Sequence, residues 1–205
     1  MIEGKKNSHP EANRWDARYQ AELEAWLARS PRQLLLDYSS LLPESGLALD
    51  AAAGVGHSSL YLARRGLRVI ALDISRVALR AAARAARQQY LSVYPAVYDL
   101  AFACFPPARF DVILNFHFLE RQTFSAYRQA LKPGGLLFIE TFVRTEPETQ
   151  DTSYYLEPGE LRARFSDYEL ILDEEAGLPP SRARPARGVA RLVARKPGTA
   201  TGSRP

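Results

Sequence analysis

The chain has little cysteine, methionine or histidine, and it has no long apolar run. A single cysteine, Cys104, excludes an internal disulfide and any metal centre built from several thiolates, and no metal site is expected. No uninterrupted apolar stretch approaches the ~20 residues that span a bilayer, so no membrane partner is expected. The opening Met1-Ile2-Glu3-Gly4-Lys5-Lys6 has no apolar segment behind its lysines, so a secretory leader is not expected and a cytoplasmic setting is. What remains is ordinary for a folded protein. Its 205 residues are 46% hydrophobic and 24% charged, which excludes a wholly disordered chain and suffices for one domain with a real core.

Charge is unevenly placed. The net charge is +4, and residues 1–160 are balanced, with 18 basic and 18 acidic side chains. The excess lies in residues 161–205, and from Arg182 onward there are 7 basic residues and no acidic one. A basic end can touch nucleic acid, but no aromatic residue is interleaved with those last arginines to stack on a base. The four arginines Arg76, Arg80, Arg84 and Arg87 share one helix face, and they fit a solvated surface better than an RNA-binding stripe.

The hydrophobic pattern alternates strand and helix. Two helices are expected between Trp15 and Leu42, divided at Ser30-Pro31, where serine caps and proline suits a first turn. Leu47-Ala48-Leu49 is a strand ending at Asp50, Ser58–Arg65 a helix closed by Gly66, and Leu67–Leu72 a strand ending at Asp73. A helix over Ser75–Tyr90, a weaker strand over Leu91–Tyr98, a strand over Phe110–Phe116 and a helix over Arg121–Leu131 follow. Lys132–Gly135 is a turn and Leu136–Phe142 a strand; residues 143–156 are polar and irregular, and Pro158–Phe165 is a short helix. Two last strands, Tyr168–Asp173 and Val189–Ala194, flank a Pro/Arg loop. This predicts an α/β fold: a Rossmann-like, seven-stranded, mostly parallel sheet, with helices on both faces and an antiparallel hairpin at its C-terminal edge. The expected organisation is a flexible segment 1–14, one domain over 15–195 whose helices in 15–45 form a lid, and a disordered basic tail 196–205.

Ligands of such sheets lie at the carboxyl ends of the strands. There the sequence places Leu49-Asp-Ala-Ala-Ala-Gly-Val-Gly56, an acid followed by a tight loop of small residues. Gly54 and Gly56 let the backbone turn sharply and come close to a ligand. Asp73 ends the next strand 17 positions after Gly56, a spacing suited to gripping ribose hydroxyls, and Asp99 falls just after the third strand. A dinucleotide fingerprint needs a third glycine, which Ser59 replaces, and an acid at Asp50 would repel a pyrophosphate. A cofactor with an amino group and a sulfonium suits that acid, so the pattern favours S-adenosylmethionine over NAD. Strand-end carboxylates also cap helices, which is the plain structural alternative for Asp50, Asp73 and Asp99.

With these residues in order, the chain resembles the class I S-adenosylmethionine-dependent methyltransferases over residues 15–195. The resemblance rests on the Asp50–Gly56 loop, Val69-Ile-Ala-Leu-Asp-Ile-Ser75, Phe110-Asp-Val-Ile-Leu-Asn-Phe116 and Leu131-Lys-Pro-Gly-Gly-Leu-Leu-Phe138. The segment Tyr154-Tyr-Leu-Glu-Pro-Gly-Glu-Leu161 with the final hairpin looks like the small tellurite-resistance and thiol-methyltransferase branch. Ala52 stands where the family loop often has glycine. The resemblance implies that Asp50, Ala52, Gly54 and Gly56 shape the methionine pocket. It implies that Asp73 binds the ribose with Ile74 beside the adenine, and that Asp99 and Leu100 meet the adenine. Asn115 and Phe116 would lie beneath the cofactor, and Trp15 and Tyr19 would belong to an aromatic lid.

The implied reaction is in-line transfer of a methyl group to a small-molecule acceptor, with the protein supplying position and electrostatics. Oxygen and nitrogen acceptors need a base, whereas a thiolate or chalcogen anion needs little beyond proximity. Candidates on the acceptor side are His117 and Tyr154, with Glu140, Tyr155 and Arg121 nearby. Asn115-Phe116-His117-Phe118 stands where amino-directed methylases carry Asn-Pro-Pro-Tyr, which favours a small acceptor over nucleic acid. The alternatives are an inactive methyltransferase-like binding protein and an RNA methyltransferase using the basic tail. Either a monomer or a homodimer is compatible with the sequence.

Overall fold

The computed structural model describes residues 9–145, 153–178 and 187–198. One seven-stranded sheet organises them, built from β1 (Gly46–Ala51), β2 (Leu67–Asp73), β3 (Val93–Val97), β4 (Phe110–Phe116), β5 (Leu131–Val143), β6 (Glu169–Leu178) and β7 (Arg187–Arg195). The strand order is β3-β2-β1-β4-β5-β7-β6. The first five strands run parallel, and β7 pairs antiparallel to both β5 and β6. The chain reverses direction in strand order beside β1 and β4, so a crevice opens at their carboxyl ends. The expected parallel sheet with an antiparallel C-terminal edge is therefore the observed one.

Both faces are covered, as the near-continuous apolar strands require. On one face Leu49, Ile113, Leu137 and Ile139 pack with Phe124 and Tyr127 of α6 (Gln122–Ala130). On the other, Ala48, Val69, Leu114 and Phe138 pack with Leu60 and Leu62 of α4 (His57–Arg64) and Ala86 of α5 (Arg76–Gln88). Strand alternation then sends Asp50 to the α4 face, where it meets Ser59.

Several boundaries differ from expectation. α1 begins at Pro10, with proline in its first turn, five residues before Trp15, and residues 1–8 lie outside the described residues. The region 15–42 forms three short helices, α1 (Pro10–Ala21), α2 (Leu23–Leu27) and α3 (Gln33–Asp37). Ser30 and Pro31 do not start the third, because Arg32 keeps an extended backbone and takes the N-cap place. The turn expected at Lys132–Gly135 is drawn into β5, where the Gly134 N–H donates to the Lys196 carbonyl and the Lys196 N–H donates to the Gly135 carbonyl. The last two strands run longer than expected on both sides of the Pro/Arg loop, whose residues 179–186 lie outside the described residues. The basic tail starts ordered: Lys196 Nζ donates to the carbonyls of Arg128 (2.5 Å) and Leu131 (2.8 Å), at the carboxyl end of α6. Residues 199–205, and 146–152 of the irregular segment, lie outside the described residues.

Candidate active site

The loop after β1 and the end of β2 are joined directly. Asp73 Oδ2 accepts the Gly54 N–H at 2.7 Å, and Oδ1 accepts the Ser75 N–H at 2.8 Å. Burial raises the Asp73 carboxyl, and the Ser75 and Gly54 N–H groups oppose that rise. A carboxylate has about four acceptor positions, so Asp73 retains capacity to accept a ligand hydroxyl. The capping role falls instead to Ser75, whose hydroxyl accepts from Ala78 N at the start of α5.

Asp50 is buried at the end of β1 and accepts the Ser59 hydroxyl at 2.6 Å. Burial pushes its carboxyl up to about 7; the Ser59 bond works against this, and the Asp73 charge adds to it. Two buried acids facing one loop are an arrangement that a bound cation relieves. Gly54 and Gly56 both have positive φ, 56° and 83°. A Cβ on Gly54 would lie 2.7 Å from the Tyr19 hydroxyl oxygen, so α1 rests on this loop. Ala52 also sits at positive φ, 58°, a conformation that favours glycine.

The N-terminal helices are tied to the end of the crevice beside Asp73. Asp16 Oδ1 accepts from the Ser75 hydroxyl (2.6 Å) and Val77 N (3.1 Å), which holds α1 on the start of α5. Tyr19 packs with Trp15, Trp26 and Val55, its ring 4.9 Å from that of Trp26. Its phenol is pushed above the ordinary tyrosine range by burial and by the nearby Asp73 charge. Asp99 Oδ1 accepts Ala101 N, and Oδ2 pairs with His9 Nε2 at 3.0 Å. Leu100 is buried behind it, and Ile74 is partly buried beside Asp73.

Sequence reasoning missed Arg32. This partly buried guanidinium has no hydrogen bond or ion pair among the described residues. Burial lowers its pKa, while Glu140, Tyr19 and Asp50 act in the opposite sense. A cation within electrostatic reach of Asp50 and Glu140 can pair with a ligand carboxylate, as Asp50 can with an ammonium. Nothing in the Arg-rich composition singles it out; only the chain's return over the sheet brings it there.

At the end of β4, Asn115 and Phe116 part. Asn115 pairs with Ala51 and Ile139, so its side chain faces α6, away from Asp50. Both atoms of its amide are buried without a partner among the described residues. Phe116 faces the Asp50 side. His117 follows at φ 57°, its ring stacked on Phe142 at 5.1 Å and its Nε2 3.2 Å from Glu140 Oε1. Tyr155 lies beyond, 6.1 Å from Phe142, and Tyr154 is exposed. Arg121 is taken up in a two-pronged bond to Glu160 and a bond to the Tyr155 carbonyl, which anchors the segment before α7 (Glu160–Arg164). Among the described residues no group of acids, cysteines and histidines has the geometry to hold a metal. No helix there is long and apolar enough to cross a membrane.

Residues 48–135 match the family model described as a methyltransferase domain. The chain is 32% identical over 183 residues to the ubiquinone biosynthesis O-methyltransferase of Caulobacter vibrioides, covering 76% of this chain and 70% of that one. It is likewise 32% identical to a protein of that name from Cereibacter sphaeroides, covering 70% of this chain and spanning 65% of the relative's length. In fold it is similar to TehB from Haemophilus influenzae, with TM-score 0.71 at 18% identity, covering 89% of this chain and 67% of that one. It is also similar to a SAM-dependent methyltransferase from Methanosarcina mazei, with TM-score 0.63 at 21% identity, covering 83% and 100%. The chain belongs to the class I S-adenosylmethionine-dependent methyltransferases, and S-adenosylmethionine is its cofactor. When bound, the cofactor supplies an activated methyl group on a sulfonium.

Proposed function

We propose that this enzyme transfers the methyl group to an oxygen of a small aromatic molecule. The observation that carries the reading is the acceptor end itself. Phe116, His117, Phe142 and Tyr155 line the ends of β4 and β5, a set of rings suited to a flat acceptor. The curated relatives named as O-methyltransferases support oxygen as the attacking atom.

In this reading Asp50 and Arg32 hold the ammonium and carboxylate of the methionine moiety, and the turn at Ala52, Gly54 and Gly56 carries its backbone contacts. Asp73 holds the ribose hydroxyls, with Ile74 beside the adenine, Asp99 at its edge and Leu100 on its face. Phe116 lies on the cofactor side, whereas Asn115 acts from the opposite face of the sheet. Helices α1–α3, with Tyr19, form a lid over the domain. Tyr154, exposed beside Tyr155, is kept as a residue the acceptor meets on entry. A cytoplasmic setting fits the exposed free thiol of Cys104.

The test is formation of S-adenosylhomocysteine with a panel of phenols, thiols, carboxylates and chalcogen oxyanions. Turnover with phenols and not with thiols or oxyanions is expected. Turnover confined to thiols or oxyanions overturns the oxygen reading. Cofactor binding with no turnover on any acceptor favours a binding protein, and turnover on RNA that falls steeply with added salt favours the nucleic-acid alternative.

A further inference from the structure

His117 and Glu140 stand 23 positions apart, yet two contacts join them and a third seats the ring on the same strand. The His117 backbone N–H donates to the Glu140 carbonyl at 2.6 Å, Nε2 lies 3.2 Å from Oε1, and the ring stacks on Phe142 two residues beyond Glu140. To reach this position His117 takes φ 57°, a conformation that is strained for a residue with a side chain. A buried histidine with a structural role ordinarily has both ring nitrogens satisfied. Here Nδ1 is buried with no partner among the described residues, which is costly unless a ligand uses it.

Glu140 is itself held in place. Its other oxygen, Oε2, accepts from Arg191 Nε at 3.0 Å, and Arg191 reaches on to Glu174. Burial raises the Glu140 carboxyl, but the His117 contact, the Arg191 bond and the Arg32 charge outweigh it and keep the group below its ordinary value. An ionised Glu140 beside Nε2 favours the proton on Nε2, which leaves the lone pair on Nδ1. Arg32 feels both Glu140 and Asp50, so this pair and the methionine end of the crevice share one guanidinium.

We propose that His117 and Glu140 form a general-base pair: Glu140 fixes the imidazole proton on Nε2, and His117 Nδ1 takes the proton of a neutral hydroxyl acceptor. This rests on the oxygen-acceptor reading above and narrows it to hydroxyls that are not ionised at neutral pH. The acceptor oxygen bonds to the methyl carbon, and the carbon–sulfur bond breaks with its pair left on sulfur. The hydroxyl proton passes to Nδ1, and the imidazolium so formed is balanced by Glu140. Glu140 acts through the ring, as a positioning residue. The ring is 25% exposed while Nδ1 itself is buried in the free protein, so the ring must present Nδ1 to the acceptor on binding.

The first measurement is the nitrogen NMR spectrum of the free full-length protein labelled in its histidines, with H117Q used to assign the signals. His117 is expected to carry its proton on Nε2 with Nδ1 bare, and E140Q to mix the two tautomers. A proton on Nδ1 in the wild type overturns the proposal. The second measurement compares methyl transfer to catechol and to 4-nitrocatechol, which is already ionised at neutral pH. H117Q is expected to bind S-adenosylhomocysteine as the wild type does and to lose roughly 100-fold more activity toward catechol than toward nitrocatechol. Equal losses on both acceptors, or none, overturn the proposal. If the wild type methylates neither catechol, the oxygen reading fails, and the nitrogen spectrum still decides the pair.

Discussion

The Asp73 carboxylate accepts the backbone N–H of Gly54 at 2.7 Å, so the side chain that shapes the loop after β1 is also the one proposed to hold the ribose. Replacing Asp73 with alanine removes both roles at once. The expected outcome is a loss of S-adenosylhomocysteine binding of more than about 100-fold by calorimetry, while circular dichroism still shows a cooperative thermal transition. Undiminished binding in that variant would sink the assignment.

Asp50 couples the site to pH. Its folded pKa of about 7 lies above the 3.8 of an ordinary aspartate, so the folded state holds the proton more tightly than the unfolded one. The sign follows: the free protein loses stability through this group as pH rises from about 4 to about 7, by a total on the order of 4 kcal/mol. D50N keeps the shape without the titration. Denaturant midpoints across that pH window are expected to favour D50N increasingly as pH rises. At pH 6 the wild type should release a proton on binding S-adenosylhomocysteine, seen as a dependence of binding heat on the buffer, and D50N should not.

Ala52 occupies a left-handed conformation that costs a non-glycine residue about 1–2 kcal/mol, partly offset by the greater chain entropy glycine would lose. A52G is expected to stabilise the protein by about 1 kcal/mol and to raise Tm by roughly 2–4 °C. A lower Tm would mean that contacts of the alanine methyl outweigh the backbone strain.

The contact between Gly54 and Tyr19 can be measured as a coupling. A methyl at position 54 would lie 2.7 Å from the Tyr19 hydroxyl oxygen and would be held at φ 56°. G54A is expected to cost about 1–3 kcal/mol and to loosen α1 from the loop. In a Y19F background the same change should cost less, because the clashing oxygen is gone. Additive costs in the double-mutant cycle would show that the strain is in the backbone alone.

Much of this site was legible because its signals are local. The glycine loop, the strand-end acids Asp50 and Asp73 and the apolar strands announce themselves within a few residues of each other, through small residues at a tight turn and period-two burial. These features depend on nothing that lies across the sheet. The start of α1 was misplaced by five residues because its first turn is polar, and helical periodicity of apolar residues begins only further along.

What the sequence determined by itself is therefore the order of strands and helices, the family of the fold and the acids at the carboxyl ends of β1 and β2. Only the tertiary structure decided that Asn115 faces away from Asp50, since that depends on the register of β4 against β1. The same holds for Arg32, which gains its place when the segment before α3 folds back toward Asp50 and Glu140. It holds for His117 too, whose partner Glu140 is supplied by the neighbouring strand. Local propensity acts over a few residues, whereas these relationships arise from packing between segments far apart in the chain, where burial and charge take their meaning from neighbours the sequence does not name.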